Sequence, residues 1–365
     1  MRACSYVSQV AKTTPKTMSI IGGALASLSC VLLGLFYYVD DRLFFPCNVV
    51  ARLLGGSGMS MLAVSGLSLL FKATNYKAGT ILSVVEGTIG GAYILGPATG
   101  IVFKQIGGYA GACYIFGIFI GVLVLLQIFM LPNIEDTIKS SKSYFHLVKV
   151  PGLVLMFIYC FVNTFGMSSR LVTIPTFIML TFGVTSSDIG VILCISNTVY
   201  MLSSPFIGWM MNQGYIYSIM IGGWISQFFL LLFIGPSPLL DYIFHGQKYF
   251  LSCAILWCSL QVSQAVAFLA PFKASLNLAE ATGYERNSLH TYGMIAGMIN
   301  CAQGLGSIVG PVGGGAIYEA LGFPWMMTII GFIQLGVVAL MIVFLLGMRA
   351  TNQPLTSREL TNQSE

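Results

Sequence analysis

The stretch Gly96-Pro97-Ala98-Thr99-Gly100 recurs 214 positions later as Gly310-Pro311-Val312-Gly313-Gly314. The echo continues at the same offset: Gly108-Tyr109 matches Gly322-Phe323, and Gly117 matches Gly331. Both copies lie in long apolar stretches, and a second apolar stretch follows each. Proline removes a backbone donor and bends a helix, while glycines one turn apart let a neighbouring helix come close. A chain that repeats such a helix in its two halves implies a duplicated membrane carrier.

Composition agrees. Of the 365 residues, 56% are hydrophobic and only 8% charged, with mean hydropathy +0.85. A soluble domain carries roughly 25% charged residues, so this chain cannot cover a water-facing surface. Ten spans of membrane-crossing length are predicted, at about 17–39, 44–71, 78–103, 109–131, 151–182, 187–211, 215–235, 249–272, 289–318 and 324–348. The nine cysteines are scattered with no CxxC pair and read as small packing residues. His146, His245 and His290 form no metal-ligand spacing, and no phosphate-binding glycine loop or signal peptide is present. Neither a cofactor nor a metal is implied, and the net charge of +5 reads as a topology signal rather than a nucleic-acid patch.

With the N-terminus inside, the inner segments carry Arg2, Lys12, Lys16, Lys72, Lys77, Lys139, Lys142, Lys149, Arg286, Arg349 and Arg358. The outer ones carry Arg42, Lys104 and Lys248. This eleven-to-three bias puts both termini in the cytoplasm. The predicted organisation is a cytoplasmic segment 1–16, a four-helix half 17–131, a basic cytoplasmic loop 132–150, a six-helix half 151–348 and a cytoplasmic tail 349–365. If the halves are duplicates, the first lacks two helices. A second alignment pairs Gly22-Gly23 with Gly222-Gly223 at offset 200. Both offsets imply roughly 50 to 60 residues without a counterpart, room for two helices. The alternative is a complete ten-helix protein.

The Gly-Pro repeats, the basic central loop and the four-plus-six spacing resemble the major facilitator superfamily. The resemblance implies an all-α membrane bundle that moves a solute by alternating access. In that family a Gly-Pro-x-x-Gly motif marks the fifth helix of proton-coupled antiporters, and Gly96, Pro97 and Gly100 fall there if two helices are missing. Gly310, Pro311 and Gly314 are the second copy. Ser83, Ala92 and Ile101 stand where the full pattern has glycines. Arg52-Leu53-Leu54-Gly55-Gly56-Ser57-Gly58 is similar to a fourth-helix pattern, with Gly55 in place of Gln. Ser203-Ser204-Pro205-Phe206-Ile207-Gly208, Gly235-Pro236-Ser237-Pro238 and the run from Val309 to Phe323 are similar to the vesicular amine and polyamine transporters. That likeness implies proton-driven antiport of an organic cation, in a vesicle, endolysosomal or plasma membrane. Those transporters have an acidic residue near the position of Arg170, so unchanged amine binding is in doubt.

Three charged residues within spans are the candidate transport or coupling residues: Arg52, Glu86 and Arg170. Charge is tolerated inside a bilayer only beside water or a partner. Arg52 reads either as cavity-facing or as snorkelling to the outer interface beside Asp40 or Asp41. Glu86 reads either as a proton- or cation-binding carboxyl or as an interfacial group balancing Lys77. Arg170 reads as cavity lining, and Lys273 as snorkelling to the cytoplasmic face. Asn163, Asn197, Gln261, Gln264, Asn300 and Gln303 are either cavity lining or helix–helix hydrogen bonds. Tyr93, Tyr200, Trp257 and Tyr292 are candidates to stack on an organic solute. The partners expected are therefore a small organic solute, protons and the lipid bilayer, with oligomeric state open and monomer the default. The competing reading is a transport-incompetent truncated form acting at most as a membrane partner. An enzyme fits badly, because no His, Asp or Glu cluster shares one membrane depth.

Overall fold

The structure, a computed structural model, describes residues 14–74, 77–132, 144–240, 242, 249–285 and 288–350. The segments read as cytoplasmic, 1–16, 132–150 and 349–365, fall largely outside the described residues. Every regular element described is helical. The long helices are α1 (Pro15–Leu35), α2 (Asp41–Ala73), α3 (Ala78–Met130), α4 (Pro151–Phe182), α5 (Ser186–Asn212), α6 (Ile216–Ile234), α7 (Phe250–Ala281), α8 (Leu289–Leu321) and α9 (Phe323–Ala350). Each is long and apolar enough to cross a membrane.

The tenth span is inside α3. Its 53 residues would make a rod of about 80 Å, more than twice the thickness of a bilayer core. Its torsions leave the helical region at Gly107 (φ −141°, ψ 20°) and Gly108 (φ 65°, ψ −161°), so residues 78–106 and 109–130 are two spans joined end to end. A positive φ strains any residue with a Cβ, and glycine removes that strain. The matched residue of the second copy, Gly322, also has a positive φ of 82° and separates α8 from α9. The repeat thus extends from sequence to backbone conformation at the joint.

Packing repeats it again. A Cβ on Gly117, in the second arm of α3, would stand 2.8 Å from Val31 of α1. One on the matched Gly331 of α9 would stand 3.1 Å from Phe228 of α6. So α1 takes the place in one repeat that α6 takes in the other, as the Gly22–Gly222 alignment expects. α1, α2 and the two arms of α3 match α6, α7, α8 and α9, leaving α4 and α5 unmatched.

The chain forms two compact units. One comprises Met1–Asn75, Leu95–Ser141 and Glu285–Asn300; the other Tyr76–Ile94, Lys142–Tyr284 and Cys301–Glu365. In the first, α1 and α2 cross at glycines. A Cβ on Gly22 would lie 2.7 Å from the Gly58 carbonyl oxygen, so only glycine allows this approach. Ser29 Oγ donates to the Ala51 carbonyl across the same pair at 2.7 Å. In the second, an apolar core gathers Ile174, Phe177, Leu231, Leu260, Phe323 and Ile330 among others, with the Phe177 and Phe323 rings stacked at 3.9 Å. Gly183 (φ 65°) ends α4, and α5 starts three residues after it on a Thr185–Asp188 capping box.

Most span limits fall within a few residues of expectation. α7 is the exception: it runs through Pro271 and Lys273 to Ala281, nine residues beyond the expected end at 272. The charge at Lys273 had read as an interface. It is carried within the helix because carbonyls of α5 receive it.

Candidate functional site

Residues 78–94 of α3 lie antiparallel to α5 within the second unit, and small residues set their spacing. Gly79, Ser83, Glu86, Gly90 and Tyr93 recur every three or four residues and so share one helix face. A Cβ on Gly79 would stand 2.5 Å from the Gly208 carbonyl oxygen, and one on Gly208 equally close to that of Gly79. Asn212 ties the start of this arm: its Oδ1 accepts from Gly79 N at 3.1 Å and its Nδ2 donates to Thr80 Oγ1 at 2.9 Å. Further along the face, the Tyr200 hydroxyl donates to Glu86 Oε2 at 2.5 Å. A Cβ on Gly90 would press on the Tyr200 ring at 3.0 Å, so the glycine leaves that ring its place. Asn197 Nδ2 reaches the Tyr93 carbonyl, and Gln261 of α7 reaches Asn197 Oδ1, each at 3.5 Å. Glu86 is half-buried, Tyr200 buried and Tyr93 52% exposed. The arrangement is a carboxyl group oriented by one phenol between two helices, with an aromatic ring two turns away.

A second polar set lies elsewhere in the same unit. Arg170 is 6% exposed. Its Nη2 donates to Gln264 Oε1 at 2.8 Å, and Gln264 Nε2 donates to Asn163 Oδ1 at 3.1 Å. With its amide turned so that the oxygen faces the guanidinium, Gln227 accepts from Nη2 at 2.9 Å and Nη1 at 3.2 Å. Gln334, fully buried, has neither amide atom hydrogen-bonded. These residues come from α4, α6, α7 and α9. No carboxylate faces Arg170 among the described residues.

No protein-family model matches the chain. Over 322 residues it is 25% identical to the human MFS-type transporter SLC18B1, covering 87% of this chain and 69% of that one. It is 26% identical over 293 residues to the human chromaffin granule amine transporter, covering 78% and 52%. Among solved structures, it superposes on the E. coli fucose:proton symporter FucP with a TM-score of 0.67 at 13% identity, covering 94% and 86%. It superposes on the human organic anion transporter MFSD10 with a TM-score of 0.61 at 14% identity, covering 90% and 82%. The chain has the major facilitator fold. Its sequence relatives are transporters of that superfamily, so the chain is a multi-pass membrane solute transporter and not an enzyme.

The remaining candidates are dispersed. Arg52 lies on α2 in the first unit, exposed. Glu86 and Arg170, both in the second unit, belong to separate hydrogen-bonded sets. Trp257 lies in the apolar core and Tyr292 stacks on Phe71 at 4.9 Å, so neither ring stands open for a solute. Asn300 Nδ2 donates back to the Ala296 carbonyl of its own helix at 2.9 Å.

The two Gly-Pro motifs also differ. Gly310 packs against α4, where a Cβ would stand 2.6 Å from the Phe165 carbonyl oxygen, and one on Gly314 would meet Ser169. Ser169 Oγ locks this contact by donating to the Gly310 carbonyl at 2.7 Å. At Gly96 and Gly100, by contrast, a Cβ would meet nothing within 4 Å. Close approach was expected at both copies and is found at the second. α3 stays helical through Pro97 and breaks at Gly107 and Gly108 instead.

Sequence reasoning did not single out Gln227, Gln334, Tyr159 or Asn212. A usable signal existed for the first two, since each is an isolated amide in the middle of an apolar span.

Proposed function

We propose that this transporter works by alternating access as a proton-coupled antiporter of an organic cation, an amine or polyamine, with Glu86 as the group that carries the proton. The observation that carries the reading is the Glu86–Tyr200 pair at 2.5 Å between α3 and α5. A carboxyl group at this place is held either by a proton or by a cation, because bare charge in a bilayer is costly. The phenol orients Oε2, while Oε1 has no protein partner among the described residues. Tyr93 offers a ring face of the kind that attracts organic ammonium groups. Relatives named as amine transporters support the cation class and a vesicle membrane. The charge bias supports cytoplasmic termini.

The test is uptake of labelled amines and polyamines by liposomes containing the purified chain, with an imposed pH gradient. Gradient-driven accumulation is expected in the native protein. Glu86→Gln is expected to lose it while keeping most gradient-independent exchange. Equal loss of both modes would remove the proton role from Glu86. Absence of uptake for every amine and polyamine tried would overturn the substrate class.

A further inference from the structure

We propose that the polar layer around Arg170 is a binding site for a small monoanion, either chloride or the carboxylate group of a solute. On each of four helices one layer residue stands one turn from an apolar core residue: Arg170 from Ile174, Gln227 from Leu231, Gln264 from Leu260 and Gln334 from Ile330. The polar groups therefore form a stratum next to the apolar core, on α4, α6, α7 and α9.

Hydrogen-bond accounting shows what this stratum lacks. The oxygens of Gln264, Asn163 and, in its turned orientation, Gln227 are occupied by N–H donors within the layer, which leaves Gln334 Oε1 as the layer's unpaired amide oxygen among the described residues. Donors remain over. Asn163 Nδ2 and Gln334 Nε2 are buried without a partner. So are the Tyr159 hydroxyl, one turn along α4 from Asn163, and Trp224 Nε1, one turn along α6 from Gln227. Those two rings stack at 3.8 Å. Buried donors left unpaired are costly, and the guanidinium adds a positive charge that no carboxylate among the described residues offsets. A neutral water would satisfy donors but not the charge; a monoanion satisfies both.

Two of the donors converge at Gly166: a Cβ there would stand 3.0 Å from Ile330 Cγ2 and 3.2 Å from both Arg170 Nη1 and Gln334 Nε2. The proposal is independent of the Glu86 reading, because its readout is binding and not transport.

The test uses the purified full chain in sodium sulfate at constant ionic strength, whose strongly hydrated dianion is neither a chloride nor a carboxylate. Chloride is titrated in one arm and acetate in the other, with thermal unfolding and tryptophan emission as readouts. A saturable rise in unfolding temperature is expected in at least one arm. A chloride response assigns the site to an inorganic anion, and a response to acetate alone assigns it to a solute carboxylate. Arg170→Gln should abolish saturation. Gly166→Ala keeps the charge, and should weaken binding about tenfold or more by crowding both donors; it decides the matter if Arg170→Gln does not fold. No saturable response in either arm, or equal saturation in the native protein and both variants, would overturn the proposal.

Discussion

Lys273 ends among carbonyls. Its Nζ donates to the Met211 carbonyl at 2.8 Å and to Asn212 Oδ1 at 3.3 Å. Both acceptors lie at the C-terminal end of α5, where a helix leaves carbonyls unpaired and carries partial negative charge. The same Asn212 holds Gly79 and Thr80, so one lysine and one amide join α3, α5 and α7. Lys273→Met is expected to lower stability by about 1.5–3 kcal/mol, the worth of a charged hydrogen bond, and Lys273→Arg to lower it less. Thermal unfolding of the purified chain in detergent checks this; an unchanged midpoint in Lys273→Met would show that the lysine is held only by water. From sequence, the lysine read as snorkelling to an interface, because its acceptors are 61 and 62 residues away along the chain. Glu86 was legible as an intramembrane carboxyl, but its phenol partner, 114 residues away, was not.

At the scale of elements, glycines identical in the repeat have different duties. Gly310 and Gly314 are pressed on α4, whereas Gly96 and Gly100 open on space. Gly310→Ala should therefore cost about 1–3 kcal/mol through overpacking, and Gly96→Ala close to nothing. Leucine at the two positions should widen the gap. Comparing thermal midpoints and monodispersity of the four variants tests it, and equal losses at the two copies would contradict the packing described. Sequence pattern revealed both motifs, since Gly-Pro spacing is local. It could not show which copy was packed, because that depends on the neighbouring helix and not on the motif. The joint at Gly108 and Gly322 was visible as a repeat. Its left-handed backbone emerges only in the fold, although the choice of glycine is its chemical trace.

For the molecule as a whole, orientation is the property that charge decides. The bias of inner over outer Lys and Arg predicts that the loop 132–150 faces the cytoplasm. A cysteine introduced by Ser141→Cys should react with an impermeant maleimide only after cells are permeabilised. Reaction in intact cells would invert the orientation. Class, the spans and the repeat were legible in the sequence alone, because hydrophobic length, charge placement and glycine spacing act within a segment or between a segment and lipid. The polar partnerships were settled only by tertiary structure: Glu86 with Tyr200, Arg170 with Gln264 and Gln227, Lys273 with the end of α5. The physical reason is that apolar burial specifies that a helix crosses the membrane but not which neighbour it meets. Hydrogen bonds between helices depend on rotation and height within the bundle, which close packing at residues such as Gly79, Gly208 and Gly310 sets.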